Sequence, residues 1–218
     1  MKGNLASLLA ASTLLLYGPS YGAYATKGSV YMISEPGNYV GAGMTQGVTW
    51  VHGVDGLFSE SVNYDKGASI TYNGDSWFYF DFAAPTYNPS TNTTDGNYLA
   101  VGRYDNATRF PFNSPTKPGL DVSGDGRGNN QLSGWFEILE VEYDVSKTHI
   151  QKLAVDFTQY GENLTQSGPG LFGSLRFNSD VALTIPSAVP EPSTYLTMAL
   201  GIGLVALATR RRKAASEV

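Results

Sequence analysis

Four side-chain oxygens in one short stretch, Asp121, Ser123, Asp125 and Asn129, stand at alternate or near-alternate positions around Gly126. That spacing is the first half of a calcium loop, in which successive oxygens turn toward one ion and a glycine lets the chain bend sharply. The second half is missing. Position twelve, where a carboxylate should close the shell, is Leu132, and no helical pattern flanks the segment. Asp and Gly in a turn between strands explain the same letters without metal. The expectation is a protein without a cofactor, with Asp121, Ser123, Asp125 and Asn129 as the set to test for calcium. His52 and His149 lie far apart and lack the spaced partners of a zinc site, so they read as surface or packing residues.

Two further groups bear on sugars. Glu137, Glu140, Glu142 and Asp144 could supply the acid and base of glycoside hydrolysis, although carboxylates on the outer face of an amphipathic strand are usually only solvated. Trp50, Trp77 and Trp135, with Tyr79 beside them in sequence order, could stack on sugar rings or equally fill a β core, which aromatic residues dominate. No G-x-S-x-G elbow is present, and Gly124 to Gly128 lacks the strand-to-helix context of a phosphate loop. The expectation is a non-enzymatic, structural or adhesive protein, a carbohydrate-binding module being the version of that role with a definite ligand. The alternative is a secreted glycan-processing enzyme using surface-cleft carboxylates.

Strands must position these residues. Aromatic and β-branched runs separated by Gly, Asn, Asp and Pro fill residues 26–186, and no stretch keeps a helical period. The pattern predicts strands over 29–34, 47–54, 58–64, 68–73, 76–83, 96–104, 133–145, 149–160 and 172–179. Short strands with regular turn signals predict an all-β domain, a β-sandwich or jelly roll. Leu153, Val155 and Phe157 share one face of their strand, with Lys152, Asp156 and Thr158 on the other. Between Ile138 and Val141 the alternation slips, which predicts a β-bulge that returns Val141 and Tyr143 to the inside. Residues 144–149 then form a hairpin turn. Residues 88–96 and 108–130 read as loops, and any binding site is expected there.

Both termini carry address signals. Met1 and Lys2 precede an apolar run that ends at Ala23-Tyr24-Ala25, so residues 1–25 read as a signal peptide cut by signal peptidase before Thr26. Export permits disulfides, yet the chain has no cysteine. Residues 26–186 are long enough for one domain with a sizeable core. Residues 26–189 carry nine Lys and Arg against seventeen Asp and Glu, a net of −8. That sign argues against nucleic acid and anionic lipid as partners.

Residues 193–209 are seventeen uncharged positions, about 26 Å at helical rise, followed by Arg210, Arg211, Arg212 and Lys213. Basic residues stay on the cytoplasmic side, so the segment reads as one transmembrane helix with the domain outside. Pro190-Glu191-Pro192 before it holds the backbone extended, as a membrane-embedded processing enzyme would require. Residues 187–213 resemble the PEP-CTERM sorting signal of bacteria: a Pro-Glu-Pro motif, a short membrane helix and a basic cluster. That resemblance implies processing by an exosortase in bacteria that make extracellular polysaccharide, with Pro190, Glu191 and Pro192 as the recognition motif and Arg210 to Arg212 as the retention signal. It implies a membrane-held intermediate and then the cell surface or matrix.

The runs at 103–130, 136–144 and 170–179 are similar to a secreted bacterial β-domain without assigned activity. Its members often carry one cysteine in the Gly-Arg-Gly loop and another after a strand ending in Asp-Phe-x-Gln. Asn129 and Gly161 stand at the corresponding positions, so the resemblance implies a disulfide that this chain lacks.

Overall fold

The computed structural model describes residues 25–185 and, separately, residue 202. Apart from Ala25 and Ile202, the signal peptide, the Pro190–Pro192 motif, the membrane segment and the basic cluster lie outside the described residues. Among the described residues no helix is long and apolar enough to cross a membrane.

The described chain is all-β. Ten strands follow in order: β1 (Gly28–Ser34), β2 (Val48–Val51), β3 (Gly56–Val62), β4 (Ala68–Gly74), β5 (Trp77–Ala83), β6 (Gly102–Arg109), β7 (Gly119–Gly124), β8 (Leu132–Tyr143), β9 (Ile150–Gly161) and β10 (Gly170–Phe177). They form one hydrogen-bonded sheet in the order β2-β1-β10-β9-β8-β6-β7-β5-β4-β3. Every neighbour pairs antiparallel except β6 with β7, which share two parallel pairs. The outermost strands β2 and β3 are consecutive in the chain, and a bridge from His52 to Gly56 brings them together. The sheet is therefore nearly closed. Curling hides its edges from other chains, the usual hazard of an exposed strand.

Alternation explains which face is inside. Phe78, Phe80 and Phe82 of β5 are fully buried, while Trp77 and Tyr79 between them are exposed. Ala68, Ile70 and Tyr72 of β4 and Leu120 and Val122 of β7 face the same interior. Phe157 lies 6.1 Å from Phe80 and 6.0 Å from Phe82, centroid to centroid, joining β9 to β5 across the core. Trp50 closes one end, stacked on Tyr72 at 4.7 Å.

Three polar side chains complete the closure. His52 accepts the Phe58 N–H through Nδ1 at 3.1 Å, so the β3 edge is capped from within the chain. Glu60, buried on β3, meets His149 Nδ1 at 2.9 Å and accepts the Ile150 N–H at 2.8 Å, tying the sheet edge to the β8–β9 hairpin. Gln159 of β9, fully buried, accepts the Val122 N–H at 2.8 Å and donates to its carbonyl at 2.9 Å. The β6–β7 pairing is too short to serve Val122, and the amide of Gln159 stands in for a missing strand. Both histidines are thus packing residues.

The register departs from expectation in two places. Residues 96–101 form no ladder, and β6 starts at Gly102. Tyrosine hydroxyls take the place of a partner strand there: Tyr143 Oη accepts the Leu99 N–H at 3.2 Å, and Tyr104 Oη bonds both the N–H and the carbonyl of Ala100. The run 108–130, expected as one loop, contains β7. Its Gly119 and Gly124 read as turn residues, but Gly124 is glycine because the Phe78 ring occupies the place of its Cβ, 2.4 Å away. The expected bulge is present, a register shift between Ile138 and Glu140, and beyond it Val141 and Tyr143 pack on the core. The 144–149 turn is also as expected, closed by the Asp144 N–H to the His149 carbonyl.

Candidate functional site

Strands β3, β4, β5 and β7 contain no Lys or Arg. Their outward positions carry Ser59 and Ser61, Ser69 and Thr71, Trp77 and Tyr79, Asp81, Asp121 and Ser123, while the positions between them are buried in the core. Trp77 is 42% and Tyr79 47% exposed, and their rings meet edge to face at 5.5 Å. Tyr79 lies directly opposite Thr71 on one side and Ser123 on the other. Two rigid rings ringed by short hydroxyls make an open amphipathic strip, apolar on the ring faces and hydrogen-bonding around them.

At the far end of this strip Asp81 and Asp121 are a directly opposed cross-strand pair. Such pairs hold their Cβ atoms about 5 Å apart, and like charges so placed repel. Desolvation pushes the Asp121 carboxyl up to about 7, Asp81 adds to the rise and Arg109 opposes it. Asp81 is raised as well, by burial, while a hydrogen bond from Ser69 pulls the other way. One oxygen of Asp121 is buried without a donor.

The expected calcium oxygens are divided between the β7 strand and the loop after it. Asp121 and Ser123 are on β7 rather than in a loop. Asp125 accepts the Trp77 N–H at 2.9 Å and pairs with Arg127 at 3.4 Å, so it holds the β5–β7 end together. Asn129 is buried against Gly161. Among the described residues no group of three or more His, Cys, Asp and Glu side chains gathers as a metal site.

Of the three tryptophans only Trp77 stands on an open face. Trp50 is committed to Tyr72 and Phe78, and the Arg103 guanidinium lies 3.8 Å over the ring of Trp135. Three of the four expected carboxylates are engaged elsewhere, while Glu137 stands opposite Asp156 on β9. Glu140 and Glu142 pair with Lys152 at 3.8 and 3.1 Å, and Glu140 also accepts from Ser179. Asp144 caps its own turn, held down to about 2 by the Ser146 hydroxyl and then by the backbone N–H groups of His149 and Thr148. The pair Asp81 and Asp121 was not singled out from the sequence. Its only signal there is an aspartate at an outward position of each of two strands, and the partnership depends on which strands meet.

The C-terminal exit is a second built region. Beyond β10 the chain folds back over the outer face of the sheet. Arg176, 2% exposed, bonds the carbonyls of Val181 and Ala182 from this strap, the carbonyls of Val155 and Leu175 beneath it, and Asp156 at 2.9 Å. Ser174 donates to Asp156 and accepts the Thr184 N–H at 2.9 Å. The outer face of β9, expected to be solvated, is covered here. At the strap's start Asn178 Oδ1 accepts the N–H groups of Thr26 and Lys27, and Lys27 pairs with Asp180, so entry and exit of the domain are fastened together. Ala25 is itself buried, its N–H bonded to the Phe58 carbonyl at 3.0 Å.

The all-β domain is thus fastened at its exit by the Arg176 and Ser174 contacts. Its tail is recognisable in its own right: residues 188–213 match the family model of the PEP-CTERM protein-sorting motif. The chain therefore carries an exosortase sorting signal, which entails export and a membrane-held intermediate before processing. No curated protein and no solved structure matches the chain.

Proposed function

We propose that this chain is an exported bacterial protein, delivered through its PEP-CTERM tail to the cell surface or extracellular matrix, whose ectodomain has a structural and adhesive role as a polysaccharide-binding module. The observation that carries the binding role is the exposed Trp77–Tyr79 pair, set among Ser and Thr hydroxyls on four strands free of cationic side chains. Ring faces of that kind stack on the C–H faces of sugars, and the Thr71 and Ser123 hydroxyls on either side of Tyr79 hydrogen-bond the rim. No catalytic step is required. Signal peptidase and an exosortase are the processing partners.

Co-sedimentation of the processed protein with its host's extracellular polysaccharide tests the reading. Replacing both Trp77 and Tyr79 with Ala should weaken binding about tenfold, the equivalent of about 1.4 kcal/mol, while the fold stays intact because neither ring is buried. Equal retention of the double variant, or no retention of the wild type, refutes it.

A further inference from the structure

The clearest built device outside the sugar-binding strip is the Arg176 clamp. Surface strands rarely need a buried guanidinium, and this one spends its donors on backbone carbonyls rather than on a ligand. Two of those carbonyls, Val181 and Ala182, belong to the segment that leaves the domain. Asn178 at the start of the segment and Thr184 near its end are fixed as well.

The clamp fixes a distance. Six residue steps separate Thr184 from Pro190, which is at most roughly 20 Å of extended chain. A domain of about 160 residues has a radius of gyration of roughly 15 Å and an outer radius near 20 Å. The motif is therefore held within about one domain radius of the folded surface, and an enzyme that binds it at the membrane must share that space. Were the strap released back to Asn178, the tether would be twelve steps long, up to roughly 40 Å.

We propose that the Arg176 clamp is a spacing device, in which Arg176 acts as a positioning residue that holds the folded ectodomain close to Pro190–Pro192 and thereby restrains the rate at which the processing enzyme removes the tail. This rests on the sorting reading of residues 188–213. Lysine cannot replace the arginine, because one ammonium cannot serve two strap carbonyls, two sheet carbonyls and Asp156 together.

Pulse-chase labelling of the full-length chain in its native host measures the half-time of tail removal. A six-residue Gly-Ser insertion between Ile185 and Pro186 leaves every clamp contact in place and should shorten the half-time about threefold or more by relieving the crowding. Arg176→Lys should shorten it comparably, and the insertion should add little on top of that substitution. A melting curve of the released domain separates strap release from unfolding. An unchanged or longer half-time for the insertion variant overturns the spacing proposal while leaving the sorting signal intact. A wild-type chain that keeps its tail to Val218 overturns the sorting reading, and the proposal with it.

Discussion

Asp121 shows how strand pairing changes the chemistry of a single side chain. Alone in sequence it looks like a turn or ligand residue, but opposite Asp81 it is a desolvated acid facing a like charge. Its folded value near 7 exceeds its ordinary 3.8, so the native state binds more protons than the unfolded chain between those limits. Stability contributed by this group is then full below about pH 4 and falls as pH rises through 7. Asp121→Asn should flatten that decline, gaining roughly 2 kcal/mol over wild type at pH 8 relative to pH 4 once solvent screening is allowed for. Urea titrations at the two pH values measure it, and parallel changes in both proteins would show that Asp121 does not titrate in this range. The two histidines were legible only as surface or packing residues, since nothing around them had ligand spacing, and the contacts to Phe58 and Glu60 decide for packing. The opposed aspartates were not, because opposition is a property of register.

At the scale of elements, the β7 strand and the loop after it are the parts the composition disguises. Gly119, Asp121, Gly124, Asp125 and Gly126 spell a turn, yet Leu120 and Val122 fill the core and Gln159 supplies the bonds that a longer parallel pairing would have made. The loop after β7 holds Asn129 and the end of β9 holds Gly161, the two positions that the resemblance to a secreted β-domain marks for cysteine. A Cβ built on Gly161 would stand 2.8 Å from Asn129 Cγ, and neither residue has a positive φ. The two positions are therefore within disulfide reach, and the Asn129 side chain fills the space that Gly161 leaves open. Installing Asn129→Cys with Gly161→Cys should form a disulfide during export and raise stability by about 4 kcal/mol, as expected for closing a loop of this length. Thiol titration and the midpoint of denaturant unfolding, with and without reductant, check it. Free thiols or an unchanged midpoint would show that the backbones do not approach as described.

For the molecule as a whole, the termini matter as much as the sheet. Thr26, where signal peptidase is expected to cut, is bonded to Asn178, from which the exit strap departs, so the entry and exit of the folded domain lie side by side. Intact mass of the mature protein from its host should show a chain beginning at or near Thr26 and ending near Glu191. Glu191→Ala should instead retain the tail in the membrane fraction. Identical masses for the two would deny the motif its role. The net charge of −8 across residues 26–189 repels other polyanions and other copies of the chain.

What the sequence determined by itself is whatever local period and composition encode. The all-β class follows from the two-residue alternation of strands such as Ala68–Gly74 and Trp77–Ala83, the bulge near Leu139 from one slip in that alternation, and the sorting signal from a linear motif at residues 188–213. That motif is written in consecutive residues, so no long-range contact is needed to recognise it. Only the tertiary structure decided that the ten strands join one nearly closed sheet, that Asp81 meets Asp121, that Trp50 and Trp135 are covered while Trp77 is open, and that Arg176 clamps the exit. Each of these depends on contacts between residues far apart in sequence. Strand order chooses those contacts, and no local pattern in the chain specifies strand order.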